Sequence, residues 1–310
     1  MLDKTSLMLL FELCKNGKAS NAELAEKLGI SLITVSKKIK TLLQDGTISI
    51  KAIPNPAKMG YRAAAFIGLN VDIKSLDDVC NKLKDDTRIN LLVTCFGRFD
   101  VLLIVYFQEW SALNRFLKYE LPAINGIKHI EASLISDAKK RYHDALISTD
   151  HNVDKEQLDE IDHRIIKELM QNGRQNYSEL AKKLGTSVAT ISRRISSLIK
   201  NDLIDIVAIP NPAKLGYFAN AFVLLNVESL NIESICNELS RFPEIHIILK
   251  LLNNYDILFG VNIIDVETLY DFLKNKIGPM PGILKSETFI CGNFLHFNSS
   301  AVYIPSFVKR

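Results

Sequence analysis

Thr34, Lys37, Lys38 and Thr41 fall at the i, i+3, i+4, i+7 spacing of one helix face, and Thr190, Arg193, Arg194 and Ser197 repeat them 156 residues later. Ammonium and guanidinium groups neutralise phosphates, while hydroxyls and the guanidinium fork reach base edges. The chemistry this set offers is recognition of double-stranded DNA. A single cationic pair on a helix is usually a solvated face; the same pattern recurring on an equivalent helix points to DNA. Ser31 and Ser187, three residues ahead of each set, are suited to cap the helix start and belong to the same candidate surface.

The offset extends well beyond these residues. Ala52-Ile53-Pro54-Asn55-Pro56-Ala57-Lys58 returns unchanged at Ala208-Ile209-Pro210-Asn211-Pro212-Ala213-Lys214, and Glu23-Leu24-Ala25, Gly60-Tyr61, Cys80, Asp100 and Gly126 recur in the same frame. Two such copies make a duplicated module. In each, an amphipathic helix opens the copy, with Leu7, Leu10, Phe11 and Cys14 in one and Ile161, Ile165, Ile166 and Leu169 in the other. A short helix follows, over 22–28 or 178–184, and is stopped by Gly29 or Gly185. The third helix buries Val35, Ile39 and Leu42, or Ile191, Ile195 and Leu198, which turns the polar set outward. This is a helix-turn-helix pattern whose third helix enters the major groove. Strand-like segments 47–53 and 203–209 supply a wing, ended by Pro-Asn-Pro.

Beyond each wing the pattern is strand 63–71, helix 76–83, strands 89–95 and 101–107, helix 110–117 and strand 127–135, repeated in the second copy. The order βαββαβ is the ferredoxin-like arrangement, with both helices on one sheet face. The bare face needs a cover. Either the two copies pair within the chain, or chains form a homo-oligomer through these sheets. The expected fold is therefore α+β, with two winged helix-turn-helix domains (1–54 and 158–210), two ferredoxin-like domains (55–147 and 211–310) and a polar linker at 148–157.

Charge supports this division. The net charge is only +3, but residues 1–60 hold nine Lys and Arg against five acids, and residues 157–216 hold nine against seven. The N-terminus has no long apolar run, so no membrane partner is expected and the protein is assigned to the cytoplasm. The five cysteines form no C-x-x-C pair and read as buried thiols. Cys291 and His296 lack tetrahedral zinc spacing, so no metal is expected. Phosphate-binding glycine loops and hydrolase motifs are missing as well, so no cofactor and no catalytic residues are expected.

Leu158-Asp159-Glu160-Ile161-Asp162 at a helix start, Glu-Leu-Ala followed by Leu-Gly and Ser-x-x-Thr, Asn-Pro-Ala-Lys-x-Gly-Tyr, and the turn Gly97-Arg98-Phe99-Asp100 together resemble the Lrp/AsnC regulators over nearly all of both copies. The resemblance implies a DNA-binding transcriptional regulator whose effector domains sense an amino acid or other small metabolite at an interface. It assigns the effector turn to Gly97, Phe99 and Asp100, and in the second copy to Asn253, Tyr255 and Asp256, where Asn253 replaces the glycine. The residues also admit a structural reading, with Gly97 permitting positive φ and Asp100 capping backbone amides. Siroheme decarboxylases resemble the same architecture. Their histidine- and arginine-rich segment corresponds here to the apolar runs 89–96 and 245–252, with His246 alone, so an enzyme is not expected. A third possibility is an assembly adaptor that does not bind DNA. The regulator reading makes one chain a pseudo-dimer with unlike recognition helices, suited to an imperfect palindrome.

Overall fold

The computed structural model describes residues 2–140 and 158–297; the linker expected at 148–157 lies outside them. The first half runs α1 (Lys4–Lys15), α2 (Asn21–Leu28), α3 (Leu32–Gln44), β1 (Ile48–Pro54), β2 (Ala63–Val71), α4 (Leu76–Leu83), β3 (Ile89–Phe96), β4 (Val101–Phe107), α5 (Trp110–Arg115) and β5 (Ile127–Lys140). The second half repeats it as α6 (Glu160–Gln171), α7 (Tyr177–Leu184), α8 (Val188–Lys200), β6 (Ile204–Pro210), β7 (Ala219–Val227), α9 (Ile232–Leu239), β8 (Ile245–Leu252), β9 (Ile257–Ile263), α10 (Val266–Phe272) and β10 (Ile283–Phe297). Each half contributes to both of two compact units, a helical one up to Met59 and from Leu158 to Gly216, and a sheet-based one from Gly60 and from Tyr217 onward.

In the helical unit the caps follow from local sequence. Ser20 and Glu23 form a capping box at α2, Asp159 and Asp162 form one at α6, and Gly29 and Gly185 end α2 and α7 in the left-handed conformation. α1 buries Leu9, Leu10, Leu13 and Cys14, while Leu7 and Phe11 are only partly buried. The buried face thus matches Ile165, Ile166 and Leu169 of α6 at the repeat offset and differs from the stripe expected for α1. The cause is what α1 packs against, which is β6 of the other half; α6 packs on β1 in return.

The segments expected as wings pair with each other. β1 and β6 run antiparallel in register from Ile48 opposite Pro210 to Pro54 opposite Ile204. Gly17 N–H donates to the Ile206 carbonyl and Gly173 N–H to the Ile50 carbonyl, each at 2.7 Å. These contacts demand glycine. A Cβ on Gly17 would lie 2.8 Å from Val207 Cα, and one on Gly173 3.0 Å from the Lys51 nitrogen. Beside them, Arg174 donates to the carbonyls of Gly17 and Ala19 at 2.8 and 2.6 Å, and Lys18, its counterpart, donates to the Tyr177 hydroxyl at 2.8 Å. Burial pushes the Lys18 ammonium down to about 8, and the nearby Arg174 charge adds to this.

The second unit is a closed eight-stranded barrel in the order β10-β3-β4-β2-β5-β8-β9-β7. Each half supplies a four-stranded antiparallel sheet, and the edges meet at two seams, β5 with β8 and β3 with β10. β5 runs five residues past its expected end at Ile135 because Asp137, Ala138 and Lys140 pair with Lys250, Leu249 and Ile248. Inside, Phe66, Val93, Leu102 and Ile104 of one half pack with Phe222, Leu249, Leu258 and Phe289 of the other. Outside, each sheet carries its own two helices over a separate core. Phe99, 1% exposed, stacks on Phe289 with ring centroids 5.5 Å apart. The two sheets therefore cover each other's inner faces and edges within one chain, the intramolecular of the two pairings expected. Cys14, Cys80 and Cys236 are buried thiols, whereas Cys95 and Cys291 are only half-buried, a correction to the reading of all five as buried.

Gly17→Ala and Gly173→Ala each force a methyl against backbone of the other half, and we expect each to cost about 1–3 kcal/mol in urea unfolding of the helical unit. Truncating Phe99 to Ala leaves a cavity in the barrel that both halves line. About 3–5 kcal/mol of stability should be lost, read from the barrel transition in the same denaturation experiment.

Candidate nucleic-acid interface and effector turns

α3 and α8 start alike. Ser31 accepts from Thr34 N–H at 3.1 Å, with 2.8 Å between the two hydroxyls, and Ser187 and Thr190 repeat this at 3.1 and 2.9 Å. Thr34 and Thr190 are consequently half-buried, with their hydroxyls engaged at the cap. Burial of Val35, Ile39 and Leu42, and of Ile191, Ile195 and Leu198, fixes which side of each helix faces solvent. Lys37, Thr41, Arg193 and Ser197 are on that side. Thr41 donates back to the Lys37 carbonyl at 3.1 Å.

Lys38 and Arg194 are each held by carboxylates. Lys38 Nζ lies 2.9 and 2.8 Å from the two Asp3 carboxylate oxygens and 3.1 Å from the Ser6 hydroxyl. Arg194 reaches Asp162 at 2.9 Å and Asp159 at 2.7 Å. The hydrogen bonds from Lys38 and Ser6 hold the Asp3 carboxyl well below the usual carboxylate range. Each cation ties the third helix to the N-terminus of the first helix in its half. Ser6 stands where the second half has Asp162, and it keeps the link by serving Lys38 in place of the second carboxylate. Among the described residues no ion pair engages Lys37 or Arg193.

The outward faces hold more than the sequence pattern singled out. Ser36 and Lys40 on α3, and Ser192, Ser196 and Lys200 on α8, are exposed, as is Ile33 at 80%. Helical periodicity counted from Lys37 or Arg193 reaches Lys40 and Ser196 at i+3. Ile33 has Ala189 as its counterpart, so the two faces differ in apolar reach as well as in the type of cation.

In the barrel, Asp100 Oδ2 accepts from Val71 N–H at 2.8 Å, and Asp256 Oδ2 accepts from Val227 N–H at 2.9 Å. Each carboxylate closes the end of its half's first sheet strand. Phe99 and Tyr255 are buried. Gly97 has φ +147° and Asn253 φ +98°, so the asparagine preserves a positive-φ turn that its side chain tolerates better than most.

Arg98 was not singled out from sequence, yet it organises this region. Its guanidinium contacts Glu131 at 2.5 and 3.0 Å, Glu287 at 2.9 Å and the Tyr255 hydroxyl at 3.0 Å, and lies 4.1 Å from the Phe99 ring centroid. Tyr255 also donates to Glu287. Burial, reinforced by Glu287, pushes the Tyr255 hydroxyl up to about 12. Glu131 and Glu287 are counterparts at the repeat offset, so one arginine joins equivalent carboxylates of both halves. Asn254 occupies the second copy's arginine position. The repeat offset itself was the signal that could have found this set.

Among the described residues no helix is long and apolar enough to cross a membrane, and no group of three or more His, Cys, Asp or Glu is placed to hold a metal.

Comparison with known proteins agrees with this geometry. A family model described as winged helix-turn-helix DNA-binding matches residues 2–49 and 158–205, and one described as Lrp/AsnC ligand binding domain matches 64–144 and 220–293. An uncharacterised HTH-type transcriptional regulator of Pyrococcus horikoshii is 32% identical over 137 residues, covering 44% of this chain and 87% of that one. The HTH-type transcriptional regulator Ptr1 of Methanocaldococcus jannaschii is 33% identical over 132 residues, covering 41% and 89%. The solved siroheme decarboxylase NirDL superposes with a TM-score of 0.68 over 96% of this chain and 94% of its own, a likeness of fold alone at 16% identity. With both domain types matched twice, the chain belongs to the Lrp/AsnC family of DNA-binding transcriptional regulators, as a tandem duplication in a single polypeptide.

Proposed function

We propose that one chain acts as a pseudo-dimer on an imperfect palindrome, with α3 and α8 reading unlike half-sites. The observation that carries this is the β1–β6 pairing with its reciprocal glycine contacts, which joins two helix-turn-helix copies without a second chain. Lys37 and Lys40 supply phosphate contacts on one side. Arg193, whose fork can bind guanine O6 and N7 together, supplies base readout on the other. Ser31, Thr34, Thr41, Ser187, Thr190 and Ser197 position the helices and line these surfaces, while Lys38 and Arg194 act by holding α3 and α8 in place.

Effector control belongs to the turns at Gly97–Asp100 and Asn253–Asp256, where an amino acid or another small metabolite would bind. Support comes from their position, since the Arg98 links to Glu131 and Glu287 couple this turn to both halves of the barrel. A ligand that competes for those carboxylates binds one arrangement of the barrel better than another, which is what coupling requires. The two turns are unequal, so one ligand per chain is the simplest stoichiometry.

A non-catalytic role is supported by the regulator relatives and by the makeup of β3 and β8. Their inward chains are mainly apolar barrel core, and His246 packs edge-on against Phe222 with its ring under Gly260.

Fluorescence anisotropy on a footprinted operator over a salt series tests the DNA reading. Arg193→Ala should weaken specific binding roughly 10-fold or more with little change at non-specific DNA. Lys37→Ala should weaken both kinds of binding and flatten the salt slope by about one. Arg194→Ala should lower the melting temperature and affect affinity less than Arg193→Ala. Unchanged affinity and slope in Lys37→Ala and Arg193→Ala would favour an adaptor that does not bind DNA.

A further inference from the structure

Three of the five cysteines sit singly on helices, Cys14 on α1, Cys80 on α4 and Cys236 on α9. The other two converge. Cys95 on β3 and Cys291 on β10 are direct partners in the antiparallel pairing that closes one seam of the barrel. They are not counterparts under the repeat, for their equivalents are Leu251 and Ile135. Those two are direct partners at the opposite seam. The same register position thus holds an aliphatic pair at one seam and a thiol pair at the other.

We propose that Cys95 and Cys291 are an oxidisable dithiol, which a small oxidant of the peroxide class converts to a disulfide tying β3 of the first half to β10 of the second. Directly opposed residues of an antiparallel pair have Cα atoms about 4.5–5.5 Å apart, within the roughly 4.4–6.8 Å that a disulfide spans. The strands already supply the required approach. Both side chains are half-buried against the inner barrel cluster, so the bond would form in a wall that excludes bulky reagents.

The surroundings favour a neutral product. Burial, with Asp100 nearby, pushes the Cys95 thiol up to about 12, and burial raises Cys291 too, with Cys95 adding to it. Thiolate is scarce at both, so the reaction is slow and needs a small oxidant. A disulfide carries no charge and loses nothing by being buried. In the reaction one sulfur, as its minor thiolate form, attacks a peroxide oxygen. The O–O bond breaks, hydroxide leaves and takes up a proton, and a sulfenic acid remains. The second sulfur then attacks the sulfenic sulfur, forming the S–S bond and expelling water with that thiol's proton. Two thiols lose two electrons in total and one peroxide becomes two waters.

The bond would also be felt at the effector turn. Cys95 Sγ–H donates to the Phe99 carbonyl at 3.1 Å, and oxidation removes that donor beside Arg98. The seam would be locked while the turn loses a tether.

The full chain treated with hydrogen peroxide, then denatured and alkylated with N-ethylmaleimide, gives a direct reading by mass. The reduced chain takes up five labels, one for each cysteine. After peroxide we expect three, with a Cys95–Cys291 linked peptide in the digest, and dithiothreitol should restore five. Cys291→Ser and Cys95→Ser should each form no linked peptide; should one fail to fold, the other carries the control. The proposal is overturned if five labels persist under peroxide that fully oxidises a free cysteine peptide. It is equally overturned if Cys95 goes to sulfinic acid while Cys291 still takes the label, or if the lost labels belong to Cys14, Cys80 or Cys236.

Discussion

A strand edge with no neighbour exposes a row of backbone donors and acceptors, and each half of this chain has three strands that leave an edge unmatched within the half. In the first half β3 and β5 have one neighbour of their own half and β1 has none, and β8, β10 and β6 repeat this in the second. All three pairs close across the halves: β1 with β6, β3 with β10, and β5 with β8. Most of the architecture depends on satisfying these edges. Their pairing joins the two helix-turn-helix copies, closes the barrel, and places the Gly97–Asp100 turn where Arg98 can reach both halves. An edge that in separate proteins would require a second chain is met here by duplication within one.

Duplication also releases the two copies from equivalence. A true dimer must present the same side chains twice, whereas this chain keeps the scaffold and varies what it displays. Lys37 faces out where its counterpart is Arg193. Arg98 links two carboxylates where its counterpart is Asn254. Phe289 stacks on Phe99 where its counterpart is Ser133, a small buried hydroxyl. The Lys38–Asp3 and Arg194–Asp162 ties, in contrast, are retained by different residue types. What is kept concerns the placing of α3 and α8; what diverges concerns the surfaces they and the turns present.

Much of this was legible in the sequence because the signals are local. Ser31 and Ser187 cap as expected, Gly29 and Gly185 stop their helices, and the strands from Ala63 and Val101 are largely apolar. The repeat offset fixed which residues are equivalent. What could not be read depends on a partner distant in sequence. Nothing in Asp137-Ala138-Lys139-Lys140 suggests a strand until β8 lies beside it. The α1 stripe turns to Leu9 and Leu13 because β6 of the other half supplies much of the surface it packs on. A helical projection shows Lys38 and Arg194 on the outward face, and only the start of α1 and α6 reveals the carboxylates that pair with them. Asp100 could be read as capping or as ligand contact, and the Val71 amide supplies the capping partner without excluding a ligand.

The central claim is that one chain supplies both recognition helices of a DNA-bound unit. Native mass spectrometry of the protein on a single footprinted duplex, at limiting protein, measures this directly. One chain on a duplex whose two protected half-sites are about one helical turn apart is the predicted result. Two chains on that duplex, each needed for one half-site, would contradict it.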